Sequence, residues 1–458
     1  MLRDYQKKAI DEIRILYAKG IKRVLLQLAG GGGKTVIFCD IIKRTQARNF
    51  PCLIVVRGVK LIEQASLRLT REGVAHGVQQ GQNSHSEYLP VQVCSIDTLY
   101  RRKQAPPARL IIVDEAHLSQ GEGYKWFLSQ YPNSYILGVT ATPFLKKGLR
   151  HIADEIVYPI SILDLMNQGY LVRPKYYAPE KPELSDIEVR QGEYNTKQLD
   201  NRMQENAIHG DVVKTWQRLG ENRPSLIFAV SIKHSQLLAR KFNEAGIPTE
   251  HIDANTNQAE RNEIIDRLIS GKIKIISSVG TLTTGFDCPP VSCLIICRPT
   301  LSKNLHFQII YRGTRPYENK NDFIVLDHAG NLERHGFIED EIKADLDGKA
   351  LSGKAGIAPV KNCPACFSVY YVSCQSCPSC GEKNESAQKN KERKLQELEA
   401  ELVERKRLNQ EEQISKWIQI AKTKKLKKGW IYHMIKGRYG EKVANEKWAK
   451  IKVMPKWV

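Results

Sequence analysis

Short apolar runs, punctuated by glycine, proline and acid, organise this chain. Val24-Leu25-Leu26, the PCLIVV run ending at Val56, VQVCSIDTL (Val91 to Leu99), Leu110 to Val113 in RLIIVDEAH and YILGVTATP (Tyr135 to Pro143) each read as a buried strand. Helical spacing separates them. The first such stretch, LRDYQKKAIDEI, sets Tyr5, Ile10 and Ile13 on one side. A less regular stretch, Asp164 to Asn206, comes next. The alternation then resumes with PSLIFAV (Pro224 to Val230), KIKIISSVG, SCLIICRP and NDFIVLD. Strands alternating with helices predict parallel sheets, with ligands held beyond the carboxyl ends of the strands. Two such series predict two α/β lobes.

The first strand runs into LAGGGGKT, Leu28 to Thr35, and then a helix. Glycines Gly30, Gly31, Gly32 and Gly33 let the backbone curl until several N–H groups face one anion, and the helix N-terminus adds its partial positive charge. Lys34 is placed to reach β/γ-phosphates and Thr35 to hold magnesium. Leu28 departs from the strict phosphate-loop pattern, standing at its first glycine. The Leu110–Val113 strand delivers Asp114, suited to the magnesium shell, and Glu115, suited to polarising the attacking water. The second series has no phosphate loop of its own, which suggests a partner lobe closing over the first. Arg312 and Arg315 in QIIYRGTR (Gln308 to Arg315) then serve as arginine fingers; surface salt bridges are the alternative.

At 458 residues, 41% hydrophobic and 26% charged, the composition is that of a globular protein of about three units. No apolar run approaches the roughly 20 residues that span a bilayer, and the opening residues lack a secretion core. A cytoplasmic protein with no membrane partner is expected. The net charge is +20, of which +11 falls after Ser386. That balance favours a nucleic-acid partner. Five of eleven cysteines crowd between Cys363 and Cys380. CPAC and CPSC present Cys363, Cys366, Cys377 and Cys380 as two knuckles for a structural zinc; Cys374 is left out because CPSC repeats the first knuckle. In the tail, Leu395, Leu398 and Leu402 form a helical stripe. Trp417, Trp430, Trp448 and Trp457 interleave with Lys424, Lys425, Lys427 and Lys428. Stacking on nucleic acid and burial in a small core are both open for those tryptophans.

Together the motifs resemble a superfamily-two helicase of the DEAD/DEAH type, collinear from Leu2 to about Gly336. LRDYQ resembles the adenine-reading motif with Arg3 and Gln6. LAGGGGKT, DEAH (Asp114 to His117) and TAT (Thr140 to Thr142) match the first three motifs. RGVKLIEQ and SIDTL resemble strand-contacting motifs. TTGFD, with Gly285 and Asp287, matches the fifth, and QIIYRGTR, with Gln308, Arg312 and Arg315, the sixth. Tyr311 stands where the sixth motif usually has glycine. MNQGYLVRPKYY, LDHAGNLERHG, the cysteine ribbon and GWIYHMIKGRYG further resemble the bacterial RadD family of DNA-repair helicases. The resemblance implies a RecA-like lobe over 1–163, a connector over 164–206 and a second RecA-like lobe over 207–340. A zinc ribbon over 358–384 and a basic helical region over 387–458 complete it. It also implies ATP, Mg²⁺ and Zn²⁺ as cofactors and single-stranded or branched DNA as partner. The protein is expected to act as a monomer, with single-stranded DNA-binding protein as a further partner. An RNA helicase, or a zinc-bearing loading protein with a switch ATPase, is the alternative reading.

Overall fold

A computed structural model of the chain describes residues 2–145, 147–179, 182–204, 206–282, 288–340, 345–347, 358–383 and 410–453. The apolar runs of the first series become β1 (Arg23–Gln27), β2 (Cys52–Val56), β3 (Gly77–Gln79), β4 (Val91–Ser95), β5 (Leu110–Asp114), β6 (Tyr135–Thr140) and β7 (Glu155–Val157). All pair in parallel, in the order β3-β4-β2-β5-β6-β1-β7. Every residue of β2 and β4 is buried, because helices cover both faces of the sheet. The VQVCSIDTL run is shorter as a strand than its sequence suggests. Ser95 accepts a hydrogen bond from the Thr98 N–H at 3.3 Å and caps a helix over Ile96–Arg102.

The second sheet contains β8 (Arg173–Tyr177), β11 (Ser225–Phe228), β12 (Thr249–Ile252), β13 (Ile275–Ser278), β14 (Cys293–Ile296) and β15 (Asp322–Asp327). A separate hairpin, β9 (Val189–Arg190) with β10 (Glu193–Tyr194), lies between the first two in sequence. The six strands are parallel in the order β12-β13-β11-β14-β15-β8. Laid beside the first sheet, this order is the same progression, with β8 in the place of β1. The stretch 164–206, expected as a connector, therefore supplies the first strand of the second sheet. RPKYY gave no strand signal because β8 is an edge strand in which only Tyr176 is fully buried.

A small antiparallel pair, β16 (Val360–Asn362) and β17 (Val369–Tyr371), carries the cysteines. It is fastened to the end of β8. The Ala178 N–H donates to the Phe367 carbonyl at 2.9 Å, and the Asn362 amide donates to the Ala178 carbonyl at 2.7 Å. The Tyr371 hydroxyl donates to Asp340 at 2.6 Å.

Residues 383–458 cluster as a second unit, of which 410–453 are described helix by helix. A helix over 410–423 precedes Lys428–Tyr439 and Glu441–Lys452. Their common core holds Ile414, Trp417, Ala421, Ile431, Ile435, Ala444 and Ile451, with Trp430 and Trp448 half-buried against it. Core packing thus accounts for Trp417. Trp457 and the Leu395, Leu398 and Leu402 stripe lie outside the described residues. Lys422, Lys424, Lys425 and Lys427 are exposed. Among the described residues, no helix is long and apolar enough to cross a membrane.

Candidate active site and metal centre

The loop after β1 is built by backbone geometry. Gly31 and Gly33 take φ values of +82° and +86°, which side chains disfavour. Gly33 caps the helix Lys34–Gln46, so the loop amides and the helix N-terminus face one cleft. The helix Asp4–Ala18 braces the loop from behind. The Tyr5 hydroxyl donates to the Gly32 carbonyl at 2.7 Å, and the buried Gln6 amide abuts Gly33. Gln6 Oε1 in turn accepts the Arg3 N–H at 2.9 Å, while the Arg3 guanidinium lies 4.1 Å from the Tyr170 ring centre.

The cleft has a volume of about 730 Å³ and draws on both lobes. Gly30, Gly31, Gly33, Lys34, Thr35, Asp114 and Glu115 line it from one side. Gln308, Tyr311, Arg312 and Arg315 line it from the other. Burial holds the Lys34 ammonium below its usual range, opposed by the nearby Glu115 and Asp114 carboxylates. Burial brings Arg312 to about 10 and also lowers Arg315. Asp114 is pushed up to about 7, first by burial and then by its neighbour Glu115. Three cations converging with two acids leave a site suited to a polyanion. Glu115 Oε2 is buried without a hydrogen bond, and beside it the Asp114 carboxylate and Thr35 hydroxyl offer the hard oxygen donors that magnesium takes. Gly32 of the loop and the Arg3–Gln6 pair behind it lie outside the cleft lining. Gly285 and Asp287 lie outside the described residues.

A second chain of contacts joins the lobes through His117, the last residue of DEAH, to which sequence reading assigns no separate role. His117 Nε2 lies 2.9 Å from the Gln308 amide nitrogen and its Nδ1 lies 3.0 Å from Thr140 Oγ1. Burial keeps this imidazole neutral. The arrangement therefore has Gln308 donating to Nε2, and the Nδ1–H donating to Thr140. Nδ1 is also 3.4 Å from Glu115. One histidine thus stands between Glu115 and the second lobe's Gln308. The final letter of DEAH was the available signal. Tyr5 reads in the sequence only as part of an apolar helix side, because its hydroxyl bond to the loop spans 27 positions.

The cysteine cluster is compact. Cys363, Cys366, Cys377 and Cys380 place all four sulfurs within 4.8 Å of one another, and Cys374 stands outside that group. Cys363 to Cys380 is 3.5 Å and Cys366 to Cys377 is 3.7 Å. Thiolates about 2.3 Å from a tetrahedral zinc lie roughly 3.8 Å apart, so this donor set fits that ion with no open position.

Two family models match, one to each lobe: "Type III restriction enzyme, res subunit" over residues 1–145 and "Helicase conserved C-terminal domain" over residues 210–316. A Saccharomyces cerevisiae protein bearing the name of an ATP-dependent helicase, IRC3, is 31% identical over 72% of this chain and 52% of its own length. The chain thus spans about half of that relative. A "51.5 kDa protein" of Lactococcus phage (isolate 7-9) is 28% identical over 89% of this chain and 87% of its own. Among solved structures, a fragment named as an HsdR subunit of a type I restriction enzyme from Vibrio vulnificus YJ016 superposes with a TM-score of 0.59. It is 20% identical and covers 76% of this chain and 66% of that one, a likeness of fold. The two lobes are therefore RecA-like in fold, and with the restriction-enzyme res-subunit model on the first and the helicase C-terminal model on the second the chain belongs to the superfamily-two helicases.

Proposed function

We propose that this protein hydrolyses ATP between its two lobes and uses the cycle to move along DNA and separate its strands. The observation that carries the reading is the convergence of Lys34, Asp114 and Glu115 with Arg312 and Arg315 in one cleft. In this scheme Lys34 and the loop amides hold the β/γ-phosphates, while Thr35 and Asp114 hold Mg²⁺, which supplies charge neutralisation on the phosphates when bound. Glu115 accepts the proton of the attacking water. Arg312 and Arg315 meet charge developing on the transferred phosphoryl group. Gln6 and Arg3, next to the loop, serve the adenine end, with Gly285 and Asp287 contributing from the second lobe. Closure needs both lobes, so hydrolysis and reopening step the protein along a strand.

DNA is favoured over RNA as the track. The family model on the first lobe is named for a restriction-enzyme subunit, and the RadD-like markers belong to a DNA-repair family. On the same markers the role is repair, recombination or replication in a bacterial or phage-infected cytoplasm, by a monomer, with single-stranded DNA-binding protein as partner. The four cysteines hold one structural Zn²⁺. ATP turnover against single-stranded, duplex, forked and RNA ligands, with unwinding of a labelled fork, tests this. Stimulation by DNA with strand separation is expected. Stimulation by RNA alone would move the track to RNA. Turnover without any unwinding would favour a switch ATPase.

A further inference from the structure

The four glycines of the phosphate loop do not share one reason. Gly31 and Gly33 need their left-handed backbone; Gly30 and Gly32 do not, having φ values that any residue adopts. What these two lack is room. A Cβ on Gly32 would stand 2.9 Å from Leu28 Cγ, and a Cβ on Gly30 would stand 2.6 Å from both Cβ and Cγ of Tyr311. Those neighbours are the two positions at which the chain departs from the helicase motifs. Each added side chain is matched by a glycine that makes space for it.

The Gly30–Tyr311 pair differs from the other in crossing between lobes. Tyr311 caps the helix Lys303–Ile310 and immediately precedes Arg312. Its ring is buried, with Phe307 edge-on at 6.2 Å. A Cβ-to-Cβ overlap cannot be relieved by rotating a side chain, since both atoms move only with their backbones. The neighbouring contacts hold the same part of the loop. Thr314 Oγ1 stands 3.5 Å from the Gly30 carbonyl, and a Cβ on Gly31 would meet Leu171 at 3.0 Å.

We propose that Tyr311 is a positioning residue that seats the second lobe on the phosphate loop. Its ring fills the space left by Gly30 and so sets how closely Arg312 and Arg315 approach the γ-phosphate. The proposal rests on the ATPase reading above. It assigns no chemistry to the phenol hydroxyl; the ring and its Cβ are what count.

The test is a paired substitution in the full chain, read by steady-state kinetics and by lobe closure. Energy transfer between dyes on unnatural residues at exposed Tyr88 and Ile269 reports closure. Tyr311→Gly lowers kcat by about 10²-fold, the effect of an ångström-scale misplacement, with ATP affinity little changed. Gly30→Ala, which adds a single methyl, lowers kcat and the closed fraction similarly. Combining Gly30→Ala with Tyr311→Gly costs no more than either change alone, because the overlap is gone, and Tyr311→Phe stays near wild type. Gly30→Ala closing and turning over like wild type would overturn the proposal. So would losses that multiply in the double variant, which would make Gly30 a nucleotide contact only. A wild type that closes without hydrolysing ATP would sink the ATPase reading instead, with the closure readings alone deciding the pairing.

Discussion

The two lobes use one strand progression through six strands and attach different segments to its last member. β1 and β8 occupy equivalent positions, beside β6 and β15, and among the described residues β1 alone has a further strand, β7, outside it. β1 ends in Leu28–Thr35 and opens a phosphate site. β8 ends in Tyr177–Ala178, and the cysteine ribbon sits there, hydrogen-bonded to Ala178 from Phe367 and Asn362. Where the first lobe has a glycine loop for a nucleotide, the second has a small fold of its own. Chemistry here belongs to the segment attached at a strand's carboxyl end, while the sheet supplies only the place. The second lobe instead contributes its arginines to the first lobe's cleft.

The largest expected effect lies at the end of β1. Lys34→Ala and Glu115→Gln should each cut ATP turnover by about 10³-fold or more, the scale on which single electrostatic groups act in phosphoryl transfer. They should part in binding: Glu115→Gln retains ATP, whereas Lys34→Ala binds it more weakly. Equal affinities in the two variants would contradict the separate roles.

Next is the end of β8. Zinc analysis should find one ion per chain, and Cys377→Ser should lose it, since such sites carry about 10–16 kcal/mol of apparent binding energy in small zinc peptides. Hydrogen exchange should then rise over Arg173–Ala178 and stay unchanged over Arg23–Gln27. Equal loosening of both strands would mean that the ribbon supports the whole chain and not the second lobe.

The smallest effect concerns the tail. Its described helices carry twelve Lys or Arg against four Glu between 410 and 453. Their core takes Trp417 inward and leaves Lys422, Lys424, Lys425 and Lys427 exposed. Truncation before Ala387 should weaken duplex binding and flatten its salt slope by about 0.9 for each phosphate that the tail neutralises. Basal ATP turnover should persist. Identical slopes would leave the tail as a docking element.

Much of this was legible in the residues, for physical reasons. Runs such as LIIV and CLIV are buried on both faces and have to be apolar throughout, so the interior strands were readable. β8 was not, because an edge strand of Arg, Pro, Lys and two Tyr has no such run. Lys34, Thr35, Asp114 and the four cysteines declared themselves by spacing along the chain. The Tyr5–Gly32 bond, the His117–Gln308 contact and the Gly30–Tyr311 packing join distant positions, and no local pattern encodes them. The helix that begins after Ser95 was hidden by a long apolar run that continues past its cap.

The claim that the two lobes share one active site is tested most directly by Arg312→Ala. ATP turnover with saturating single-stranded DNA and ATP affinity should be measured on the same preparations. The account predicts a fall in turnover of about 10³-fold or more, as for other arginine fingers, with affinity changed far less. Unchanged turnover, or a loss of affinity as large as the loss of turnover, would contradict it.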